Sequence, residues 1–411
     1  MRILLWHGYL LGGTGSNVYS RALAREWSNA GHDVVVVSQE REPERYDLGS
    51  AQTVAVELPG RLLPVFVMDR YAGLEPKFVQ DFTDAEKHAY VEANASVLRA
   101  LLPADVVFTN HVLMGAPVGA ATGVPFRVKA HGSELEYSMR GRPELEVWGR
   151  ATLAQAEATF VGSAHIRRVL EDVVGQVDSV FEVPPGVDVD RFRLEDRADA
   201  LAALLREAAA DQPNNGNERL PDDGNAGRLD AFLARDEPTI VYFGKLIEQK
   251  GVQVLLEAMR SIDARLVVVG FGPYRAALEA AAPPRTLFTG PLEHRHLQHL
   301  LPLADATVVP SIFPEAFGMV AAEAAAAGSP PLVARHSGLA EVAAGLEEEY
   351  PERFRHLASF TTGDAADLAR KLDELVSLAA ADRDELRHAA RRAVVERWSW
   401  SSVGRRLLEP V

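Results

Sequence analysis

The chain has 411 residues, of which 47% are hydrophobic and 25% charged, as is typical of a soluble globular protein with two domains. Its net charge of −15 argues against a nucleic-acid-binding surface, and the absence of cysteine excludes disulfides and thiolate zinc sites. The twelve histidines show no His-Glu-x-x-His pattern, so no metal site is expected.

Membrane insertion and secretion have no support in the sequence. No apolar run approaches the ~18 residues of a membrane span. The N-terminus is too short and too soon polar to be a signal peptide. A cytoplasmic protein is therefore expected, and only peripheral membrane contact stays open.

The first forty residues predict a βαβ unit. Residues 3–6 and 34–37 are apolar runs typical of strands covered on both faces, and a helix is expected between them over 16–31. The intervening loop Gly12-Gly13-Thr14-Gly15 lets backbone amides approach an anionic ligand. A dinucleotide fingerprint would need glycine where Val18 stands, so NAD binding is not favoured.

Two later strands are each followed by a histidine. The strand 105–108 leads to His111, and the strand 126–130 leads to His131. Polar side chains at the carboxyl ends of strands lie where open α/β sheets bind ligands. Lone histidines are usually structural, and His111 is interpreted in that way.

Two segments show little pattern of secondary structure, one in the first half of the chain and one at its junction with the second half. Residues 40–80 look irregular. Residues 211–228 are rich in Gly, Asn and Asp and cannot bury a core, so a mobile loop is expected there between helical runs at 198–210 and 229–235.

A second series of strands and helices begins at the strand 239–243. It is followed by a glycine-bounded loop with Lys245 and Lys250. Two cations in such a loop can clamp a diphosphate, although the spacing alone better fits two solvated surface lysines.

The stretch around 306–328 carries the clearest signal of function. A short strand over 306–309 leads into an alanine-rich helix that Gly328 ends. Glu315 precedes the helix and Glu323 lies in its middle, about 12 Å apart if the whole span is helical. This arrangement suits a ligand with hydroxyls at both ends and an anion between them, such as a nucleotide sugar. Taken singly, each glutamate is better interpreted as structural, Glu315 as a carboxylate at the helix start and Glu323 as a solvated surface residue; together, within the alanine-rich run, they favour a ligand site.

The sequence Pro314-Glu315-Ala316-Phe317-Gly318-Met319-Val320-Ala321-Ala322-Glu323 resembles the Glu-x7-Glu motif of retaining GT-B glycosyltransferases, especially glycosyltransferase family 4. The His-Gly segment at His131, the Pro-Pro-Gly-Val-Asp segment at 184–188 and the Ser-Trp segment near 399–400 are similar to family segments. The resemblance extends from residue 12 to about 403.

The resemblance implies a role for each matching residue. Catalytic roles fall to His131 on the donor hexose, Lys245 and Lys250 on the leaving diphosphate, and Glu315 on the sugar. Donor-binding roles fall to Gly12, Gly13, Gly244, Phe317, Gly318, Met319, Val320 and Glu323, the last on the ribose, while Pro291 and Leu292 would lie by the nucleobase. Lys245 stands where the family has arginine, which keeps the charge but loses the bidentate fork.

The implied fold is α/β and GT-B, with two Rossmann-like domains facing one another across a cleft. The expected boundaries are an acceptor domain over 1–192, a linker and insert over 193–237, a donor domain over 238–388 and a final helix over 389–411 that crosses back to the first domain.

The implied reaction is transfer of a hexosyl group from a UDP- or GDP-sugar to an acceptor hydroxyl with retention of configuration. Neither a metal nor another cofactor is implied. Acceptor loops are expected at 40–80 and 132–145, where a charged loop favours a small polar molecule or a glycan: Glu134, Glu136, Arg140 and Arg142.

Two other classes of protein stay open. One is another GT-B enzyme, such as a sugar-nucleotide epimerase or a phosphorylase, which would show no transfer to an acceptor. The other is a non-catalytic nucleotide-sugar-binding protein, which would bind the donor without turnover.

Overall fold

The computed structural model of the chain describes residues 1–12, 15–68, 71 and 73–409. The chain forms two compact units, which are Met1–Gly186 with Trp400–Val411, and Val187–Ser399. Within the described residues, no helix combines the length and apolarity needed to cross a membrane.

The first unit is built on a seven-stranded parallel sheet. Its elements are β1 (Arg2–Trp6), α1 (Gly15–Asn29), β2 (Asp33–Ser38), β3 (Gln52–Ala55), β4 (Leu62–Val65), β5 (Glu75–Phe78), α2 (Asp84–Leu101), β6 (Val106–Asn110), α3 (Ala116–Ala121), β7 (Arg127–Lys129), α4 (Pro143–Leu153), β8 (Ala158–Val161), α5 (Ala164–Val174) and β9 (Val180–Glu182). The sheet order is β3-β2-β1-β6-β7-β8-β9, and β4 pairs with β5 separately.

Both faces of this sheet are buried, which explains its continuously apolar strands. In β1, Leu4 and Trp6 pack in one hydrophobic cluster, whereas Ile3 and Leu5 pack in another. Since successive side chains of a strand point to opposite faces, helices must cover both sides of the sheet. The predicted βαβ unit is confirmed.

The prediction that residues 40–80 are irregular is wrong. The strand β3 pairs in parallel with β2 at the edge of the sheet, and β4 and β5 form a short ribbon. The segment 52–55 is half-buried and contains few apolar residues, so its strand pairing comes from its neighbour and leaves little periodic signal.

The second unit repeats the parallel architecture with six strands. Its elements are α6 (Arg197–Ala209), α7 (Asn225–Leu233), β10 (Thr239–Phe243), α8 (Val252–Ala258), β11 (Arg265–Val269), α9 (Arg275–Ala281), β12 (Thr286–Gly290), α10 (His294–Leu300), β13 (Ala306–Val309), α11 (Met319–Ala326), β14 (Pro331–Ala334), α12 (Ser337–Glu349), β15 (Ser359–Phe360), α13 (Ala365–Val376) and α14 (Ala380–Arg397). The sheet order is β12-β11-β10-β13-β14-β15. A last helix, α15 (Trp400–Leu408), belongs to the first unit.

The boundaries differ from those expected. The first unit ends at Gly186, and the region expected to be a linker belongs to the second unit, because Leu204 of α6 and Leu229 and Leu233 of α7 are buried in its core. Helix α14 also packs there, through residues such as Ala390, so the chain returns to the first unit at Trp400 and not at residue 389.

The stretch expected to be a mobile loop is anchored at both ends. At its start, the side chain of Asp211 is buried and forms an ion pair with Arg295. Helix α7 begins inside the stretch, at Asn225. Composition indicates a polar segment here but gives no sign of the long-range ion pair.

Candidate active site

Three neighbouring strands of the second unit end at one place. The loops after β10, β13 and β14 contact one another: Ile312 N–H donates to Gln249 O at 3.0 Å, and Gly338 N–H donates to Glu315 O at 3.0 Å. The carboxyl edge of a parallel sheet is where such folds bind ligands. The carboxyl edge of the sheet therefore brings together Lys250, Glu315 and Ser337, which come from three separate segments of the sequence.

Lys250 and Glu315 form an ion pair at this edge. Lys250 Nζ donates to Glu315 Oε1, and Ser311 Oγ donates to the same oxygen at 2.5 Å. The two charged side chains keep 32% and 20% of their surface exposed, so a ligand can still reach both. Sequence reasoning named both residues as site residues but did not predict that they pair.

A short hydrogen-bond chain holds the backbone of Glu315. Glu315 N–H donates to Ser337 Oγ at 2.8 Å, and the Ser337 hydroxyl lies 3.0 Å from His336 Nδ1. His336 Nε2 lies 2.7 Å from Ser311 O. Because a carbonyl oxygen only accepts, Nε2 carries the imidazole proton and Nδ1 accepts from Ser337. Sequence reasoning missed the roles of His336 and Ser337, although their place at the start of a predicted helix was a usable signal.

The start of α11 lies directly beyond Glu315. Gly318 has φ 114°, and a Cβ there would lie 2.6 Å from Leu339 Cδ2, so glycine is required on both counts. The first amides of a helix lack intrahelical partners and favour anions, and the roles of Met319 and Val320 as phosphate ligands stay predictions. The Phe317 ring is buried edge-on against Trp398 at 5.5 Å, so this residue can offer a ligand only its backbone.

Glu323 is buried inside the second unit, with 9% of its surface exposed. Burial raises the pKa of its carboxyl to about 8, and the charge of Arg191 partly opposes that shift. His294 Nε2 lies 3.5 Å from Glu323 Oε1. The alternative interpretation of Glu323 as a solvated surface residue is therefore wrong. Glu315 lies before the first residue of α11, so the distance between Glu315 and Glu323 that was expected for a fully helical span does not apply.

His294 brings the predicted nucleobase loop to Glu323. It follows β12 by four residues, just after Pro291, which is half-buried, and Leu292, which packs in the core. The imidazole meets the Phe192 ring edge-on at 5.6 Å. Sequence reasoning missed both His294 and Arg191. His294 could have been found from its position just after the predicted nucleobase loop.

Lys245 has an exposed side chain at the end of β10. Among the described residues its Nζ makes neither a hydrogen bond nor an ion pair, while its carbonyl accepts from the Tyr242 hydroxyl at 2.9 Å. The neighbouring Gly244 carbonyl would lie 1.8 Å from a Cβ at Gly270, so the loop packs backbone against backbone. The charge of Lys245 is thus available to an anion.

Three predicted residues belong to the first unit. A Cβ at Gly12 would lie 2.4 Å from the Tyr46 hydroxyl, and Gly13 lies outside the described residues. His131 Nε2 lies 2.8 Å from Asn110 Oδ1, and burial lowers the pKa of the imidazole well below its usual value. Glu134, expected in a charged, polar loop, is completely buried, and its carboxylate accepts hydrogen bonds from Val112 N–H and His131 N–H in the loops that follow β6 and β7.

Solved structures share the fold over nearly the whole chain. Sucrose-phosphate synthase from Thermosynechococcus elongatus has a TM-score of 0.68 at 20% identity, covering 99% of this chain and 97% of that one. The Anabaena protein HepE, in complex with UDP-glucose, has a TM-score of 0.65 at 14% identity, covering 99% and 98%. These likenesses show that the fold is α/β and GT-B.

Curated relatives are similar over about two thirds of the chain. The D-inositol 3-phosphate glycosyltransferase of Xylanimonas cellulosilytica is 31% identical over 65% of this chain and 60% of its own length. A GDP-mannose-dependent alpha-(1-6)-phosphatidylinositol monomannoside mannosyltransferase of Mycobacterium tuberculosis is 28% identical over 68% of this chain and 67% of its own. The chain thus spans only about 60% of the first of these relatives.

Two family profiles match the two halves of the chain. The profile described as glycosyl transferase 4-like domain matches residues 14–186. The profile described as glycosyl transferases group 1 matches residues 229–393. The chain belongs to the group 1 family of glycosyltransferases, with an N-terminal domain of the 4-like type.

Proposed function

We propose that this glycosyltransferase moves a hexosyl group from a nucleoside diphosphate sugar to an acceptor hydroxyl, with retention of anomeric configuration. The observation that carries the proposal is the accessible Lys250–Glu315 pair beside the start of α11. A cation, a carboxylate and a helix N-terminus together match the charges of a diphosphate joined to a sugar.

The chemistry needs stabilisation of the negative charge that grows on the leaving diphosphate. Lys245, Lys250 and the first amides of α11 would supply it, and Glu315 would orient the hexose. Glu323 would bind the ribose hydroxyls; its neutral form, which burial favours, can both donate and accept. The role of His131 on the hexose stays a prediction, as do metal-free turnover and a cytoplasmic location.

The donor is proposed to be a UDP- or GDP-linked sugar. The Mycobacterium relative is described as GDP-mannose-dependent, and HepE was solved with UDP-glucose. These descriptions support both nucleotides, and the described residues around Pro291 and Leu292 carry no feature that selects between them.

Calorimetric titration of the full chain with UDP, GDP and ADP tests the donor site. One nucleotide should bind with micromolar affinity, and Glu323→Ala should weaken that binding about tenfold, which corresponds to ~1.4 kcal/mol. Glu396→Ala, which removes an exposed glutamate of the same unit, is the matched control. Failure of all three nucleotides to bind would refute the proposal.

Turnover separates transfer from the other chemistries. The sugar nucleotide that matches the tightest nucleotide is incubated with a panel of polyols, and products are resolved by NMR. A new glycoside with the donor's anomeric configuration is expected. Epimerised donor, sugar phosphate alone or an inverted glycoside would each contradict the proposed reaction.

A further inference from the structure

Helix α6 packs on α10, the helix that directly follows the predicted nucleobase loop. Arg295 Nη1 of α10 donates to Glu207 O of α6 at 2.8 Å and pairs with Glu207 Oε2 at 3.1 Å. Leu204 of α6 and Leu300 of α10 are fully buried in the same hydrophobic cluster. Helix α6 is therefore a fixed part of the second unit beside the loop that leads into α10.

This contact lies outside the parts of the chain that match the family. The two family profiles match residues 14–186 and 229–393, whereas α6 and Asp211 lie between them. The role of α6 beside α10 must therefore be inferred from its own contacts.

The carboxylate of Asp211 lies between two side chains of α10. Asp211 follows α6 by two residues. Its Oδ1 accepts from Arg295 Nη2, and its Oδ2 lies 3.2 Å from His296 Nε2. Asp211 keeps 2% of its side-chain surface exposed and His296 keeps none. Both oxygens of the carboxylate thus face nitrogen atoms, which an amide with a single oxygen could not match.

The contacts of His296 fix which ring nitrogen carries the proton. Glu293 N–H donates to His296 Nδ1 at 3.1 Å, so Nδ1 is an acceptor. Burial lowers the pKa of His296, although the charge of Asp211 opposes that shift, so the ring is neutral at neutral pH and its proton lies on Nε2. Nε2–H then faces two acceptors, the Asp211 carboxylate and the backbone carbonyl of Glu207.

The neutral ring connects Asp211 to the backbone of the predicted nucleobase loop. Glu293 directly precedes the first residue of α10 and directly follows Leu292. A glutamate or glutamine at the third helical position often accepts from the amide that His296 binds here. In this chain the histidine that takes that place is itself held through its other nitrogen.

The loop is held by backbone contacts at its other end. Gly270 N–H donates to Gly290 O at 2.9 Å, and the Thr289 hydroxyl donates to the same carbonyl at 2.8 Å. Pro291 comes next and has no N–H to donate. The path of the loop is thus fixed by Gly290 at its start and by the His296 ring at its end.

The same turn brings His294 to Glu323. His294 Nε2 lies 3.5 Å from Glu323 Oε1, and its ring meets the Phe192 ring edge-on at 5.6 Å. A shift of the loop would therefore move a neighbour of the residue that we assign to the ribose.

Resting on the proposed function, we infer that Asp211 and His296 are positioning residues for the nucleoside end of the donor. They act through Glu293 N–H, which holds the predicted nucleobase loop and the turn that begins α10. The diphosphate is assigned to other segments, around Lys250 and the start of α11. Loss of the contact should therefore weaken the nucleoside part of donor binding and not the diphosphate part.

Two substitutions of similar size at His296 test this role. His296→Gln keeps an oxygen that can accept from Glu293 N–H and an amide that can donate to Asp211, whereas His296→Leu keeps neither. For whichever of UDP, GDP and ADP binds most tightly, affinity should fall about threefold to tenfold in His296→Leu, as expected for one hydrogen bond, and less in His296→Gln. Affinity for inorganic pyrophosphate, which has neither base nor ribose, should not fall. Calorimetry of the full chain measures both ligands.

His388→Leu, at an exposed position of α14 in the same unit, is the matched control and should change neither affinity. An equal loss of nucleotide and pyrophosphate affinity in His296→Leu would mean that His296 supports the unit as a whole. Equal nucleotide affinity in His296→Leu and the wild type would mean that the loop does not need the ring. Either result would overturn the inference.

Asp211→Asn tests the other half of the connection. Asparagine has one oxygen for two donors, so nucleotide affinity should fall while pyrophosphate affinity does not, and Asp223→Asn in the same polar segment should change neither. Unchanged nucleotide affinity in Asp211→Asn would overturn the role of Asp211.

Nitrogen NMR of the ¹⁵N-histidine-labelled full chain tests the position of the proton in the wild-type protein, with His296→Gln to assign the resonances. We expect the Nε2–H tautomer of His296 at neutral pH. A proton on Nδ1 would contradict the hydrogen bond from Glu293 and overturn the inference.

The two proposals fail in distinguishable ways. If no nucleotide binds to the wild-type chain, the proposed function is wrong. If a nucleotide binds and the variants affect it no more than pyrophosphate, only the positioning role is wrong. Should His296→Leu fail to fold, Asp211→Asn and the tautomer of the wild-type ring still decide between these outcomes.

Discussion

Lys250 Nζ is paired with Glu315 Oε1 across 65 positions of sequence, in the loops after β10 and β13. The pair neutralises, within the free protein, the cation that we assign to the leaving diphosphate. A nucleotide must therefore compete with Glu315 for Lys250. Because of this competition, loss of Glu315 and loss of Lys250 should have different effects on the affinity for the nucleotide.

Glu315→Gln should separate binding from turnover. Removing the carboxylate frees Lys250, so the affinity for the nucleoside diphosphate should stay equal or rise by about threefold to tenfold, equivalent to ~1 kcal/mol for a partly exposed pair. Transfer should fall about 100-fold or more, because the residue proposed to orient the hexose is lost. Calorimetry and a transfer assay measure the two effects.

The control for that experiment is Glu257→Gln, which breaks an exposed pair with Arg260 in the same unit and should change neither quantity. A parallel loss of nucleotide affinity and turnover in Glu315→Gln would mean that Glu315 holds the nucleotide itself or the local fold.

Lys245 offers a test of the departure from the family's arginine. Its exposed charge has no partner among the described residues, so Lys245→Ala should weaken nucleotide binding about fivefold to tenfold, less at high salt. Lys245→Arg should match or exceed the wild type, since a guanidinium can bind a phosphate through two parallel hydrogen bonds. Titrations at low and high salt measure both. Arg260→Ala controls for loss of a surface charge, and equal affinities in all variants would remove Lys245 from the diphosphate site.

Glu323 predicts an unusual pH dependence of stability. Burial raises its pKa from 4.5 to about 8, so the folded protein retains a proton that the unfolded chain loses between those values. The folded state gains from this group below pH 4.5 and loses that gain as pH rises through 8. Glutamine does not titrate, so Glu323→Gln does not lose stability in this way. The melting temperature of the variant relative to that of the wild type should therefore rise between pH 5 and pH 8.5.

Differential scanning fluorimetry at several pH values measures this difference, with the exposed Glu396→Gln as control. A difference in melting temperature that is independent of pH would show that Glu323 does not hold a raised pKa.

Asp211 should matter for stability although it begins a polar insert. Its buried carboxylate pairs with Arg295 and lies 3.2 Å from the fully buried His296. Asp211→Ala removes the carboxylate beside the buried His296 ring, while Arg295 keeps its pairs with Glu207 and Glu293. The free energy of unfolding of the second unit should fall by about 1–3 kcal/mol. Urea denaturation measures the change. Asp223→Ala, an exposed residue of the same insert, should change it little, and equal effects would refute the anchoring role.

The strands and helices around the site follow from local pattern. The apolar runs that become β10 and β13 are short, continuous and stopped by Gly244 and Pro310, which is enough to indicate buried parallel strands. The edge strand β3 lacks that pattern: Val54 packs partly buried against a core cluster, and parallel pairing with β2 supplies the rest of its order.

The sequence by itself determined the α/β fold class and the order of the strands and helices along the second half, because short-range periodicity records these. The resemblance to a family singled out Lys250, Glu315 and Glu323, whose role as site residues stays a prediction. Only the tertiary structure decided that Lys250 pairs with Glu315 and that α14 packs in the second unit. Burial of a charge depends on contacts made by residues distant in sequence, and no local pattern records which of those contacts form.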